Sequence, residues 1–346
     1  MNLNDRILEI RQQQRIKKAP NNEPAAVWTG KDLLQGEITD TLTLIFKTCG
    51  CWWGIKGGCT MCGFVYDRAS TPPSAEDLLQ QYEKALERSS GLQEFIVKIF
   101  TSGSFLDEKE IDAQVRETLL NKMEADERIK KVIVETRPEF VTEDTLASCT
   151  EVLKNTGFEI AIGLETSSDL IRKRSINKGF TYAGFSRATQ LAHEKGVTVK
   201  AYLLLKPPFL SEIEGMNDII DTIDDIVSLV DTVSINLCNV QRGTFVERLW
   251  ERNQYRPPWL WSVVRILIES KKNHPDLVIT SDPVGAGSKR GPHNCRECSH
   301  MVADMIREYS LTQDIAILED LNCDCKEEWE KVLELDGLTF GCPIKS

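Results

Sequence analysis

Residues 48–63 read TCGCWWGIKGGCTMCG and bring four cysteines and five glycines together in one short stretch. The apolar, β-branched run at 41–47 directly before it predicts a strand, and the glycines predict a loop after that strand. Several thiolates in one loop need a soft cation to hold them together, so the stretch predicts a metal or iron–sulfur site. A disulfide or unpaired core cysteines are weaker interpretations, because the sequence has no secretory signature.

Two sets of ligands fit this loop. Cys49, Cys51, Cys59 and Cys62 together would form a closed, structural site. Three of these thiolates would leave one iron of a [4Fe–4S] cluster open to a small-molecule ligand, which is a catalytic arrangement. The spacing alone does not decide between them, but the place of the loop at the carboxyl end of a strand favours the catalytic site.

The composition indicates a soluble, cytoplasmic globular protein. The chain has 346 residues, of which 41% are hydrophobic and 27% charged. No segment is apolar for long enough to span a membrane or to act as a signal peptide. Eleven cysteines, mostly clustered, favour metal binding in a reducing compartment. The net charge of −11 argues against broad, nonspecific affinity for nucleic acid, so RNA binding would need a localised basic surface.

From residue 41 onward, apolar strands alternate with amphipathic helices, which predicts parallel βαβ units in an α/β fold. The six predicted strands are 41–48, 95–101, 131–136, 158–164, 197–205 and 231–238. The predicted helices include Ala75–Arg88, Asp107–Glu124, Glu143–Asn155, Tyr182–Lys195 and Glu212–Val230. Six units favour an open, partial (β/α)6 barrel of the TIM type over a closed eightfold barrel.

Three domains are expected: an N-terminal extension at 1–34, the partial barrel at 35–245 and a cysteine-rich module at 246–346, in which 277–280 predicts one more strand. The module carries two cysteine pairs, Cys295 with Cys298 and Cys323 with Cys325. Two pairs flanking one helix suit a tetrahedral site for zinc, with a second iron–sulfur cluster as the alternative. His293 or His300 could replace a thiolate, and Cys342 would be free or a substitute ligand.

Polar residues follow the predicted strands: Ser102, Gly103 and Ser104, then Glu135 and Arg137, then Glu165 and Lys178. The small residues at 102–104 would expose backbone N–H groups suited to a carboxylate or ammonium group. A buried carboxylate such as Glu135 is costly unless it is paired or used, and Arg137 could simply neutralise it. A solvated helix face explains Arg172 and Lys173, and Cys149 and Cys238 are expected to be small buried hydrophobes.

The loop resembles the cluster loop of radical S-adenosylmethionine (SAM) enzymes: a strand, Gly-Cys, a glycine-containing spacer and Cys59-Thr-Met-Cys62-Gly-Phe. The usual spacing there is CxxxCxxC, whereas here nine or seven residues precede Cys59, as in the Elp3-like branch with its long first spacer. The resemblance implies a [4Fe–4S] cluster on Cys51, Cys59 and Cys62. Cys51 follows a glycine, as is common in the family, and Cys49 is the alternative to Cys51.

The same resemblance gives roles to the strand ends. Segment 102–104 (Ser102, Gly103, Ser104) resembles the one that holds the amino and carboxylate groups of SAM. Glu135 and Arg137 lie in a Glu-Thr-Arg-Pro segment like that of Elp3-like enzymes. Glu165 would hydrogen-bond the cofactor or substrate, and Lys178 would meet a carboxylate.

From about residue 35 to its end, the chain resembles the archaeosine-forming radical SAM lyases, called RaSEA. The residues that carry this resemblance are Cys51-Trp-Trp through Cys59-Thr-Met-Cys62-Gly-Phe, Glu135-Thr-Arg-Pro138, Gly163-Leu-Glu165 and Gly291-Pro-His-Asn-Cys295. The resemblance implies cleavage of the C–N bond in the lysine side chain of a lysine-adducted 7-deazaguanine at position 15 of tRNA, leaving a formamidine. The implied partners are tRNA, the archaeosine synthase that attaches the lysine, and an electron donor such as a ferredoxin or flavodoxin.

Two other functions compete: another radical SAM tRNA modification, or a non-catalytic, metal-stapled RNA-binding protein. The second would have closed four-thiolate sites at both cysteine groups. Candidate RNA contacts are Lys289, Arg290 and Arg296 for phosphate, and Asn236, Asn239 and Gln241 for a base edge. The basic residues of the extension, Arg6, Arg11, Arg15, Lys17 and Lys18, indicate a solvated face or, alternatively, a tRNA contact.

Overall fold

The computed structural model describes residues 2–14, 16, 19–336 and 338, which form a mixed α/β structure around one eight-stranded sheet. The strands are β1 (Ala26–Leu34), β2 (Glu37–Ile45), β3 (Phe95–Phe100), β4 (Ile129–Thr136), β5 (Gly157–Glu165), β6 (Thr198–Leu205), β7 (Thr232–Leu237) and β8 (Val278–Thr280). They lie side by side in chain order, and only the β1–β2 pair is antiparallel. All carboxyl ends from β2 to β8 therefore meet at one edge, where the site residues lie.

Helices cover the outer face of the sheet and its two ends. They are α1 (Leu3–Gln12), α2 (Trp52–Ile55), α3 (Ala75–Leu86), α4 (Ala113–Glu124), α5 (Glu143–Thr150), α6 (Asp169–Ile171), α7 (Tyr182–Glu194), α8 (Glu212–Ile226), α9 (Phe245–Glu251), α10 (Leu260–Asn273), α11 (Ser299–Thr312), α12 (Ala316–Glu319) and α13 (Cys325–Asp336). Capping boxes start α3, α5 and α8, with Ser74, Thr142 and Ser211 as N-caps. None of the described helices is both long and apolar enough to cross a membrane.

The sheet curls into a half-barrel, which confirms the predicted partial barrel. Alternate strand residues such as Leu42, Val132 and Ile160 point outward into the main core against the helices. Ile96, Ile133 and Ala161 form a separate apolar layer. α11 packs against both β1 and β8, the two edge strands.

All six predicted strands are confirmed as β2–β7, and the strand predicted at 277–280 is β8. Because β8 pairs in parallel with β7, the parallel part of the sheet has seven strands rather than six. The extension also contributes to the sheet, since β1 pairs with β2 along its whole length. The sheet therefore crosses both predicted domain boundaries, and the three-domain division stays a prediction. Three helices were predicted too long by four residues or more: α4 begins at Ala113, not at Asp107, α5 ends at Thr150, not at Asn155, and α8 ends at Ile226, not at Val230.

Candidate active site

The cysteine loop lies at the carboxyl edge of the sheet, directly after β2, as predicted. α2 begins one residue after Cys51, whose sulfur accepts a hydrogen bond from the N–H of Gly54 at 3.3 Å. Gly57 and Gly58 have positive φ angles of 126° and 79°. These conformations are open to glycine and strained for other residues, so the glycines allow the loop to double back toward Cys59.

Cys51, Cys59 and Cys62 are placed so that the charge of one affects the pKa of another. Burial raises the pKa of each thiol, and the negative charge of a neighbouring member of the trio raises it further. The Cys49 thiol has other partners. It donates a hydrogen bond to the carbonyl of Lys109 at 2.9 Å, and burial with the charge of Glu110 raises its pKa to about 11.

Glu165 and Lys178 form a nearly buried ion pair beside the cysteines. β5 ends in a β-bulge between Gly163 and Glu165, and Glu165 has a positive φ of 69°. Such a conformation is uncommon for a residue with a Cβ and is typical of functional sites. The carboxylate lies 2.6 Å from the Lys178 ammonium, with side chains only 8% and 14% exposed. A Cβ at Gly163 would lie 2.6 Å from the same nitrogen, so a side chain at this position would displace the ion pair.

Lys178 also faces Cys59. Burial lowers the pKa of Lys178, but the charges of Glu165 and Cys59 outweigh burial and raise it above its usual range. Lys178 in turn opposes the effect of burial on the pKa of the Cys59 thiol. The site therefore holds a fixed positive charge between a carboxylate and one of the predicted cluster ligands.

Arg137 does not neutralise Glu135, so that interpretation is wrong. Its guanidinium lies 2.6 Å from the Glu139 carboxylate and stacks near the rings of Trp52 and Phe180, at 5.6 and 5.4 Å from their centroids. Burial raises the pKa of Glu135 to about 7, against the opposing charge of Lys178. Arg137 thus joins the cysteine loop to the segment that follows Lys178.

The segment at 102–104 lies against the cysteine loop. The Ser102 hydroxyl donates to the Phe64 carbonyl at 3.2 Å, and a Cβ at Gly103 would lie 2.7 Å from the Cα of Cys51. The N–H of Ser104 donates to Glu110 at 2.8 Å, so this N–H already has a partner. That the segment at 102–104 binds the amino and carboxylate groups of SAM stays a prediction.

Glu110 is a site residue that the sequence did not reveal. It accepts hydrogen bonds from the Thr48 hydroxyl at 2.5 Å and from the Ser104 N–H, which joins the two loops. Burial raises its pKa to about 7. The sequence predicted residue 110 to lie on an amphipathic helix, so nothing marked its carboxylate as pointing inward.

Arg11 and Gln241 also hold the cysteine loop. Arg11 donates to three loop carbonyls, so the predicted solvated face is wrong for this residue, although Arg6 is exposed. The Gln241 amide oxygen accepts from the Gly63 N–H at 2.5 Å rather than pointing outward to read a base. Arg15, Lys17 and Lys18 lie outside the described residues.

Arg172 and Lys173 were both predicted to lie on a solvated helix face, but they differ in solvent exposure. Arg172 is 1% exposed and donates to the backbone carbonyls of Leu164 and Thr166, so its solvated-face interpretation is wrong, whereas Lys173 is exposed as predicted. Cys149 and Cys238 are buried, at 0% and 1% exposure, as expected.

The four C-terminal cysteines converge on one point. The sulfur atoms of Cys295, Cys298, Cys323 and Cys325 all lie within 4.8 Å of one another, and three of the separations are 3.5–3.6 Å. A tetrahedral zinc ion with bonds of about 2.3 Å needs sulfur atoms about 3.8 Å apart. The group therefore fits a single ion. His293 bonds the carbonyl of Gly291 through Nδ1, and Cys342 lies outside the described residues.

Only part of the predicted basic surface near this group is free to meet RNA. Lys289 and Arg296 are exposed. Arg290 instead pairs with Glu247 at 2.5 Å, and Asn239 donates to the carbonyl of Val284 at 2.9 Å. Asn236 is exposed on β7.

The family model of the radical SAM superfamily matches residues 45–227, which run from the end of β2 to the end of α8. The chain belongs to this superfamily. It also belongs to the family of archaeosine synthase subunit beta. The protein of that name from Methanosarcina acetivorans is 58% identical over 99% of both chains. The one from Thermococcus kodakarensis is 40% identical over 89% of this chain and 96% of its own. Among solved structures, the archaeal Elp3 of Methanocaldococcus infernus covers 67% of this chain and 59% of its own, with 18% identity and a TM-score of 0.49.

A radical SAM enzyme uses a [4Fe–4S] cluster and SAM, and the donor set of this site fits both. Three thiols whose charges affect one another's pKa offer the soft ligands that iron prefers. Glu165 and Lys178 beside them offer both charges to a ligand that carries an ammonium and a carboxylate group.

Proposed function

We propose that this enzyme completes archaeosine formation in tRNA. It would cleave the C–N bond in the lysine side chain of the lysine-adducted 7-deazaguanine at position 15 and leave the formamidine. The observation that carries the proposal is the 58% identity, over nearly the whole length of both proteins, with a protein named archaeosine synthase subunit beta. The match covers 99% of this chain, so it extends beyond residues 45–227 of the superfamily core.

We propose Cys51, Cys59 and Cys62 as the cluster ligands. The support is that these three thiols influence one another, whereas the Cys49 thiol is turned toward the Lys109 carbonyl. When bound, the cluster and SAM supply the electron and the radical that abstracts hydrogen from an unactivated carbon. The side chains around the site would bind and orient the cofactor and the substrate.

Those side chains bind and orient. Lys178 and Arg137 offer positive charge to a carboxylate, and Glu135 and Glu165 offer negative charge to an ammonium group or hydrogen-bond acceptors to hydroxyls. Ser102, Gly103 and Ser104 line the approach to Cys51. Since these groups lie at the barrel mouth, the target base must leave the helical stack to reach them. The half-exposed ring of Phe64, directly after the cysteine loop, is a suitable surface for stacking a base.

The partners follow from the same family membership. We propose a complex with the synthase subunit that attaches the lysine, as the word "subunit" in the relatives' names suggests. An electron donor such as a ferredoxin or flavodoxin would be needed. We propose zinc for the C-terminal group, because its sulfur separations suit one ion, whereas in a cubane cluster each thiolate binds a different iron.

The first test is anaerobic reconstitution with iron and sulfide, followed by reduction with SAM and lysine-adducted tRNA. We expect 5′-deoxyadenosine and formamidine-bearing tRNA from the wild type. Cys51→Ala should abolish both products, because the cluster loses a ligand, whereas its matched control Cys49→Ala should keep them.

Three other outcomes of this experiment would each lead to a different conclusion. Loss of both products in Cys49→Ala alone would keep the enzyme class and overturn the ligand set. 5′-Deoxyadenosine without the tRNA product would point to another radical SAM modification. If zinc filled both cysteine groups and no SAM were cleaved, the protein would be a metal-stapled RNA-binding protein.

A further inference from the structure

The N-terminal helix α1 lies directly on the cysteine loop. Ile7 on this helix is 1% exposed, so the helix is packed rather than solvated on that side. The Asn4 amide donates to the carbonyl of Lys56 at 2.9 Å and accepts from the Asn177 amide at 3.0 Å. α1 is thereby fixed both to the loop and to the residue before Lys178.

The central contact is made by Arg11. Its Nη1 donates to the carbonyl of Gly54 at 2.8 Å, and its Nη2 donates to the carbonyls of Cys59 and Cys62 at 3.1 and 3.2 Å. Three converging carbonyl dipoles repel one another unless a donor lies between them. A planar guanidinium can bridge them at once, whereas the single nitrogen of lysine cannot reach all three in the same geometry.

The loop is shaped to admit this side chain. A Cβ at Gly58 would lie 2.7 Å from the Cα of Gly54 and 3.1 Å from Nη2 of Arg11. A Cβ at Gly54 would lie 3.3 Å from Nη1. The glycines of the loop thus leave the space that the guanidinium fills.

We propose that Arg11 is a positioning residue for the cluster, holding the loop in its ligating shape and raising the reduction potential of the bound cluster. The proposal rests on the proposed function, since it assumes a cluster on Cys51, Cys59 and Cys62. Two of the three carbonyls that Arg11 binds belong to those ligands. Reduction adds a negative charge to the cluster, and a nearby guanidinium stabilises that charge.

Two variants separate the shape from the charge. Arg11→Gln removes both the positive charge and the two guanidinium nitrogens that donate to the loop. Arg11→Lys keeps the positive charge but cannot donate to all three carbonyls. Arg6→Gln, on the exposed side of the same helix, is the matched control. Each protein is reconstituted anaerobically. The rate of cluster loss to a chelator and the midpoint potential from an EPR-monitored titration are then measured, and the signal absent from Cys59→Ser is assigned to the loop.

We expect Arg11→Gln to lose its cluster about tenfold faster, the factor expected from losing hydrogen bonds to a charged donor, and to show a lower midpoint potential. Arg11→Lys should also lose the cluster faster but keep the wild-type potential, and Arg6→Gln should match the wild type in both. A wild-type loss rate and potential in Arg11→Gln would overturn the proposal.

Two further results would also decide against it. An equal fall in potential in Arg11→Lys and Arg11→Gln would show that the potential follows the loop's shape alone, which overturns the electrostatic role. Failure of the wild type to form any loop cluster would be seen before the variants are compared, and would overturn the proposed function together with this inference.

Discussion

At the scale of single residues, a buried ion-pair network in the half-barrel ties β1 to four other strands, β3 to β6. Asp32 lies 2.6 Å from the Lys98 ammonium and 3.3 Å from that of Lys200, while Glu159 lies 2.6 Å from Lys131 and 3.6 Å from Lys200. Burial raises the pKa of Asp32, but Lys200 and Lys98 outweigh burial and hold it well below its usual range. Asp32 therefore stays charged and keeps two lysines from facing each other unpaired.

We expect Asp32→Asn to lower the free energy of unfolding by about 3 kcal/mol, because it leaves the Lys98 ammonium without its carboxylate partner and Lys200 with Glu159 alone. The matched control is Asp40→Asn. Asp40 is on the neighbouring strand and pairs with Lys31 at 2.8 Å on the exposed surface. Loss of this exposed pair should lower the free energy by less than about 1 kcal/mol. Urea unfolding of the two variants measures the difference, and equal effects would contradict a structural role for the buried network.

The stability difference between the wild type and Asp32→Asn should depend on pH in a defined way. The pKa of Asp32 in the folded protein lies below its ordinary value of 3.8, so the folded state binds fewer protons than the unfolded state in that range. The stabilisation by Asp32 is then complete above the ordinary value and is lost as the pH falls toward the folded pKa. We expect the difference between wild type and Asp32→Asn to be constant near neutral pH and to shrink only below about pH 3.8. A decline already near neutral pH would contradict this assignment.

At the scale of elements, the parallel strands were predictable because burial on two faces leaves long apolar runs such as 131–136 and 197–205. β1 was missed because Gly30, Lys31 and Asp32 interrupt its apolar pattern. Its stability comes from pairing with β2 and from the contacts of Asp32 inside the half-barrel, which no local pattern contains. Glu165 was predicted as a site residue from its place after an apolar run, but the bulge and the positive φ that set its direction have no sequence signal.

α13 is an element held at both ends by residues distant in sequence. Cys325 begins the helix inside the cysteine group, and the Asp336 carboxylate at its end accepts from the N–H groups of Glu212 and Ile213 at 2.9 and 3.3 Å. A carboxylate is unfavourable at a helix C-terminus but favourable at the N-terminus of α8, which it meets. We expect Asp336→Ala to lower the free energy of unfolding by about 1 kcal/mol and to speed amide exchange in α13.

The control for this prediction lies on the same helix. Glu334 is exposed, so Glu334→Ala should change neither stability nor exchange. Hydrogen exchange with mass spectrometry distinguishes the two variants. If both behaved alike, the contact between Asp336 and α8 would not be what fixes the end of α13.

At the scale of the whole molecule, the C-terminal cysteine group joins segments that the barrel alone does not hold together. It links the start of α11, which packs on both edge strands, to the start of α13. The Trp261 indole on α10 donates to the Cys325 sulfur at 3.3 Å, and the Trp329 indole on α13 donates to the hydroxyl of Ser262 at 2.9 Å. A metal ion here would therefore stabilise the sheet's covering helices as well as its own loops.

Because such an ion binds the folded protein, its concentration should set the stability of the molecule. With the site saturated, each tenfold rise in free zinc should raise the free energy of unfolding by about 1.4 kcal/mol. Urea unfolding in zinc-buffered solutions measures this slope, in a Cys59→Ser background so that the cluster loop adds no linked binding. Adding Cys323→Ser and Cys325→Ser should abolish the slope. Cys149→Ser should lower the stability but keep the slope, because Cys149 is buried in the core outside the group. A slope of zero without these additions would show that zinc does not hold the C-terminal segments in place.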